Sequence, residues 1–296
     1  ILGDKSSLIL KDYHPYEDLP KMINPESGYI FNTNNSPFNS SAEKDNLRES
    51  DYEITFSFKE SENNRSLRFM ELIRNHEKIK YDDFKKIKYD QKYPDSLILI
   101  GNIKEVFTLK KSDVPEYTDL LEIIQNWDKR GDIDNVGAAQ WNLYYNFMLG
   151  VLSENSVNIK DSIRIEFHDE ALKRTRDHLI NNFGKIDIKL GDLQRHIRGD
   201  IDLPVSGLID MIAPTYSVPV SGGRLKAVSG ESYIMLIRYS TDGPEIETVI
   251  PYGNSSNPDS PHFTDQMQMY VDKKLKRMYL DRDDVIINAL RTYNPI

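Results

Sequence analysis

At 296 residues, with 39% hydrophobic and 29% charged residues, the chain has the balance of a globular protein with apolar material for a large core. A net charge of −9 without a basic stripe argues against a nucleic-acid partner. The longest apolar runs, such as Leu97-Ile98-Leu99-Ile100, are strand-sized, so no membrane span is expected. The absence of cysteine excludes disulfides, thiolate metal sites and a cysteine nucleophile.

The first forty residues are turn-rich. Asn24-Pro25-Glu26-Ser27-Gly28 reads as a turn entering a short buried strand, Tyr29-Ile30-Phe31. The exit from that strand is unusual, because Asn32, Asn34 and Asn35 crowd together before Pro37. Residues 37–65 are polar, broken only by the alternation Tyr52, Ile54, Phe56, Phe58, and a connection of that length is usually functional or mobile.

From Ser66 to about Gly184 the texture turns helical. SLRFMELI, YDDFKKI, VPEYTDLLEIIQNWD, VGAAQWNLYYNFMLGVLS and IRIEFHDEALKRTRDHLINNF all place apolar residues three and four apart. Pro115 suits a first helical turn. After Gly191, prolines and glycines separate short β-type runs, of which SYIMLIRYS and EIETVIPY are the clearest. Strands are expected near residues 28–32, 206–213 and 232–250, and short helices over 263–273 and 283–290. The β–α–β order predicts an α+β fold with a helical insertion. Segments 1–65, 66–200 and 201–296 are expected to form one continuous piece rather than independent domains.

No stretch carries a self-contained catalytic constellation. His14, His76, His168, His178, His196 and His262 are scattered. His168 and His178 share one helical pattern ten residues apart, unlike the i, i+4 spacing of a zinc helix, and read as a solvated face. Ser6-Ser7 and Ser255-Ser256 lack the Gly-x-Ser-x-Gly elbow of serine hydrolases. Ser221-Gly222-Gly223-Arg224 lacks the lysine and the strand-to-helix setting of a phosphate loop. The tyrosines, Tyr144-Tyr145 among them, read as packing residues, and His262 as a neighbour of a helix start.

LPKMINPESGYIFNTNNSP, residues 19–37, closely resembles a segment of the β chain of penicillin acylases and the related N-acyl-homoserine lactone and aculeacin acylases. The likeness continues in the same order. It takes in Asn126-Trp127-Asp128 with Gly131, then Ala138-Ala139, then Arg195-His196 with Gly199, Leu203-Pro204 and Gly207, and last PYGNSSNPDSPHFTDQMQMY.

This resemblance implies the C-terminal portion of an αββα N-terminal-nucleophile hydrolase sandwich. Such enzymes arise from a self-cleaving precursor whose new N-terminal serine attacks an amide, with its own α-amine as base. Ile1 matches the middle of the family's β chain, so the chain is expected to be a C-terminal fragment, inactive alone. Its expected partner is the upstream part of the same precursor, the α chain and the N-terminal β portion. The expected substrate is a small acylated amide, the location bacterial and periplasmic or secreted. No cofactor is expected, although a structural calcium in the full-length enzyme would draw on a loop aspartate, Asp45 or Asp51.

By the same resemblance Asn34 maps to the asparagine whose side-chain amide donates to the oxyanion, and Arg65 to an arginine that buttresses the active site. Arg68 competes for that role if the loop register shifts. Asn32 and Asn35 read as turn formers. The alternative function is a non-catalytic structural or partner-assembling module.

Overall fold

The computed structural model describes residues 5–6, 13–52, 62–74, 76–99, 102–157, 162–289 and 291. The chain divides into two compact units, Ile1–Leu67 and Arg68–Ile296. It is an α+β protein.

The first unit is built from turns rather than ladders. Gly28 N–H closes the Pro25 turn (3.0 Å). The Asp45 carboxylate fastens this turn from outside, accepting from the Ser27 and Glu26 backbone N–H groups at 2.8 and 3.3 Å. Hydrogen bonds from Ser27 hold that carboxyl below its ordinary range. The expected strand at 29–31 does not form among the described residues. Its contacts are a Phe31 N–H to Ser40 carbonyl bond (2.8 Å) and the Ser41 hydroxyl on the Tyr29 carbonyl (2.8 Å). Phe31 is buried while Ile30 is 54% exposed. A strand is defined by a neighbour's hydrogen bonds, and apolar spacing alone does not supply one. Of the alternation at 52–58, only Tyr52 lies within the described residues.

Helix α1 (Asn64–Ile73) contains the boundary between the units. In the second unit α2 (Tyr81–Lys88), α3 (Thr118–Gln125), α4 (Ala138–Glu154) and α5 (Ile165–Phe183) confirm the helical reading of this region. The core forms around α4, which is buried on most of its circumference. Trp141 on α4 stacks on Trp127 with ring centroids 5.7 Å apart. Gly137 caps α4 with φ 106°, and a Cβ there would sit 2.9 Å from the Trp127 side chain, so glycine is needed on both counts. Gln140 closes the same turn. Its Oε1 accepts from Gly137 N–H (2.7 Å) while its Nε2 donates to the Ile186 and Ile188 carbonyls (2.5 and 3.1 Å).

The reading of His168 as solvated is overturned. It is 1% exposed on α5, with Nδ1 2.6 Å from the Tyr144 hydroxyl. It lies on the same buried stripe as Leu172, Thr175 and Leu179, so the helix turns it inward. His178 is half-buried and bonds the Gly223 carbonyl through Nε2 (2.7 Å).

Short α6 (Leu190–Leu193) leads into a mixed sheet of β1 (Gln194–Arg198), β2 (Ile201–Pro204), β3 (Thr215–Pro219) and β4 (Leu225–Gly230), ordered β2-β1-β4-β3. The β1–β4 pair is parallel and its neighbours are antiparallel. A second, antiparallel sheet runs β5-β6-β7, from Ile234–Ser240, Gly243–Val249 and Lys276–Met278. The expected strand pair over 232–250 is therefore present. The strand expected over 206–213 is a loop instead. Gly207 (φ 96°) and Asp210 (φ 60°) break any pleat, and Leu208 and Met211 reach the core from turns. The helix expected over 263–273 shrinks to α7 (Met267–Val271), because residues 260–266 form turns and bends. The last, α8, spans Arg282–Asn288. Among the described residues no helix is long and apolar enough to cross a membrane.

Candidate active site

The asparagine-rich segment is a pinned loop. Asn34 has φ 64°, a left-handed conformation that asparagine tolerates better than most residues. Asn32 Oδ1 accepts from Asn34 N–H at 2.7 Å, and Asn35 Oδ1 accepts from the Thr33 N–H and hydroxyl, both at 2.9 Å. Asn35 Nδ2 donates onward to the Ser36 and Asn39 carbonyls (3.2 and 2.5 Å). Asn32 and Asn35 thus act through local turn bonds.

Asn34 is placed differently. Its side chain is exposed, and its Oδ1 accepts from Arg65 Nη1 at 3.1 Å across 31 residues of sequence. Arginine only donates, so the atom facing it is the amide oxygen, and the NH2 group is turned away from Arg65. The pair joins two residues that the same family resemblance singled out in the sequence.

Arg68 is committed elsewhere. Its Nε and Nη2 grip both oxygens of Asp90 (2.9 and 3.0 Å), and Nη1 holds Glu71 (3.0 Å). Asp90 raises the guanidinium's pKa further, consistent with a permanent ion pair. Of the two arginines, Arg65 is the one bonded to Asn34.

Other polar residues singled out in the sequence have structural partners. His262 is exposed and pairs within its own turn, Nδ1 lying 2.8 Å from Asp265 Oδ2. His196 is buried on β1, donates through Nε2 to the Pro251 carbonyl (2.5 Å) and stacks on Tyr252 at 4.7 Å. Burial holds its pKa below the ordinary value. Arg195 and Arg224 converge on Asp202 at 2.7 and 2.6 Å, tying β1, β2 and the start of β4. Ser255 lies in a loop, its N–H bonded to the His262 carbonyl (3.1 Å).

For calcium, both Asp45 oxygens already accept backbone N–H groups, and Asp51 meets the Ser50 hydroxyl. Among the described residues no three acidic or histidine side chains gather to hold a metal.

Sequence reasoning missed Asn63. It is 8% exposed, caps α1 and bonds the Asn34 loop. Its only advance signal is the Asn-x-x-Ser spacing ahead of a helical pattern.

Comparison with known proteins places these residues in a family. The penicillin amidase family matches residues 2–286. An acyl-homoserine lactone acylase, PvdQ of Pseudomonas savastanoi pv. phaseolicola, is 23% identical over 180 residues, covering 55% of this chain and 23% of that protein. The aculeacin-A acylase of Actinoplanes utahensis is 23% identical over 192 residues, 60% of this chain and 24% of the relative. The matched segment therefore accounts for about a quarter of the length of either relative. A thermostable penicillin G acylase from Alcaligenes faecalis superposes with a TM-score of 0.47 at 13% identity, covering 92% of this chain and 57% of the other. On the match over nearly its whole length, the chain belongs to the penicillin amidase family.

Proposed function

We propose that the whole protein is a self-processing N-acyl amidohydrolase and that this chain supplies its oxyanion-binding asparagine. The serine nucleophile comes from polypeptide preceding Ile1. Its oxygen attacks the amide carbon, the carbonyl electron pair moves onto oxygen, and the serine's α-amine takes the hydroxyl proton. The amine proton then goes to the departing nitrogen, and water later releases the acid from the acyl-enzyme. Asn34 Nδ2 donates to the transient oxyanion. A neutral amide suits that task, because it does not titrate near pH 7 or compete as a nucleophile.

The observation that carries this reading is the Arg65 Nη1 to Asn34 Oδ1 bond. A cation on the amide oxygen fixes the rotamer and polarises the NH2 group as a donor. The relatives' names, an acyl-homoserine lactone acylase and an aculeacin-A acylase, support an acylated amine as substrate. A structural calcium and an exported location are part of the same proposal.

The test is release of free amine by the full-length, self-processed protein from a panel of N-acyl amides. The panel comprises an acyl-homoserine lactone, an acyl β-lactam and an N-acylated amino acid. At least one is expected to yield stoichiometric amine and acid, while the 296-residue chain alone yields none. No amine from any substrate by fully processed protein would favour the partner-assembling alternative.

A further inference from the structure

Resting on that reading, we infer that Asn63 is a positioning residue that locks the Asn34–Arg65 pair in register through a single side-chain amide. Its Oδ1 accepts from Ser66 N–H at 2.9 Å, and Ser66 Oγ accepts from Asn63 N–H at 3.1 Å, so the two residues cap α1 reciprocally. The other end of the amide faces the loop. Asn63 Nδ2 donates to the Thr33 carbonyl at 2.8 Å, and the Thr33 hydroxyl, whose one proton is shared with the shorter bond to Asn35, lies 3.2 Å from Asn63 Oδ1.

Thr33 immediately precedes Asn34, and Arg65 is the second residue of α1. One buried amide thus joins the residue before the oxyanion donor to the helix start that presents its orienting arginine. A further tie runs through Glu62, which accepts from Asn39 Nδ2 and the Ser66 hydroxyl and so binds the far side of the loop to the same helix start.

The chemistry of the position is specific. The cap needs an acceptor, and the Thr33 carbonyl needs a donor from the same planar group. Aspartate has only the first. Asn63→Asp therefore keeps the cap, and places a negative charge at a helix N-terminus, where it is favoured. It also sets a carboxylate oxygen against the Thr33 carbonyl. A purely structural role would leave turnover alone in this variant.

The experiment uses full-length, processed protein, with rates normalised to processed enzyme. Asn63→Asp is expected to lower the thermal midpoint but stay folded at the assay temperature, while kcat falls roughly ten- to a hundredfold, with KM little changed. In an Asn34→Gly background the same substitution is expected to have no further effect on kcat. Asn63→Ser, a shorter cap that also lacks the amide donor, should reproduce the kcat loss, and serves if the aspartate variant fails to fold. Wild-type kcat in both Asn63 variants while Asn34→Gly is impaired would overturn this inference and leave the functional reading standing. An equal loss in the Asn34→Gly background would also overturn it. An Asn34→Gly protein with wild-type turnover would instead remove the reading beneath it.

Discussion

Asn34→Gly in the processed full-length protein is expected to lower kcat roughly a hundred- to a thousandfold, about 3–4 kcal/mol, by analogy with measured oxyanion-hole deletions in other hydrolases. Glycine is the informative replacement because Asn34 has φ 64°. Alanine there would add about 1–2 kcal/mol of backbone strain and confuse a lost donor with a shifted loop. The loss should fall on kcat more than KM, since the amide is matched to the oxyanion rather than the resting carbonyl. Self-cleavage passes through a similar tetrahedral centre, so rates must be referred to processed enzyme. Turnover within about threefold of wild type, under roughly 1 kcal/mol, would mean that Asn34 is a turn residue and nothing more.

The second large effect concerns stability and pH. His168 is packed against Tyr144, and its Nε2 lies 3.8 Å from Glu105 Oε2 without a hydrogen bond. Burial lowers its pKa from 6.5 to about 4, while the same burial raises the Tyr144 phenol well above its usual value, keeping both groups neutral. Between these two values the unfolded chain binds a proton that the folded chain refuses, so stability rises with pH across that window. The contribution is fully present above about pH 6.5 and is lost as pH falls toward about 4. The loss is on the order of 3 kcal/mol from one group. Denaturant unfolding at pH 7, 6, 5 and 4.5 should show this slope in the wild type. The slope should be smaller in His168→Gln, which removes the titration. The comparison matters because His196 titrates in the same sense. Identical slopes in the two proteins would contradict the buried neutral histidine.

Much of the helical architecture was legible because five segments kept a period near 3.6 over two or more turns, from α1 to α5. The β5–β6 hairpin was legible for a similar reason, as two β-rich runs around Asp242-Gly243. Short apolar runs were not reliable. Tyr29–Phe31 and residues 206–213 both looked like strands, yet the first has no ladder and the second bends at Gly207 and Asp210. In both, whether a run becomes a strand depended on a neighbour that local sequence does not name. His168 was misread, although its place on the Leu172–Thr175–Leu179 stripe was available.

The candidate site was legible in parts. Asn34 and Arg65 were each named through resemblance, but their bond spans 31 positions and no periodicity announces it. Arg68, three residues further along α1, competed only if the loop register shifted, and its side chain grips Asp90 and Glu71. The link from Asn63 to the loop was hidden for the same reason. Its cap is local, whereas its bond to Thr33 is 30 residues distant.

The central claim, that Arg65 acts by orienting the Asn34 amide, is tested most directly by a double-mutant cycle on kcat in processed full-length protein. The four members are wild type, Asn34→Gly, Arg65→Gln and the double variant. Hydrogen bonds from charged donors contribute about 1.5–3 kcal/mol, so Arg65→Gln is expected to cost roughly ten- to a hundredfold in the wild-type background. In the Asn34→Gly background the same change should cost little, leaving a coupling energy of about 1.5 kcal/mol or more. Additive losses, with Arg65→Gln equally damaging whether or not Asn34 is present, would contradict the account.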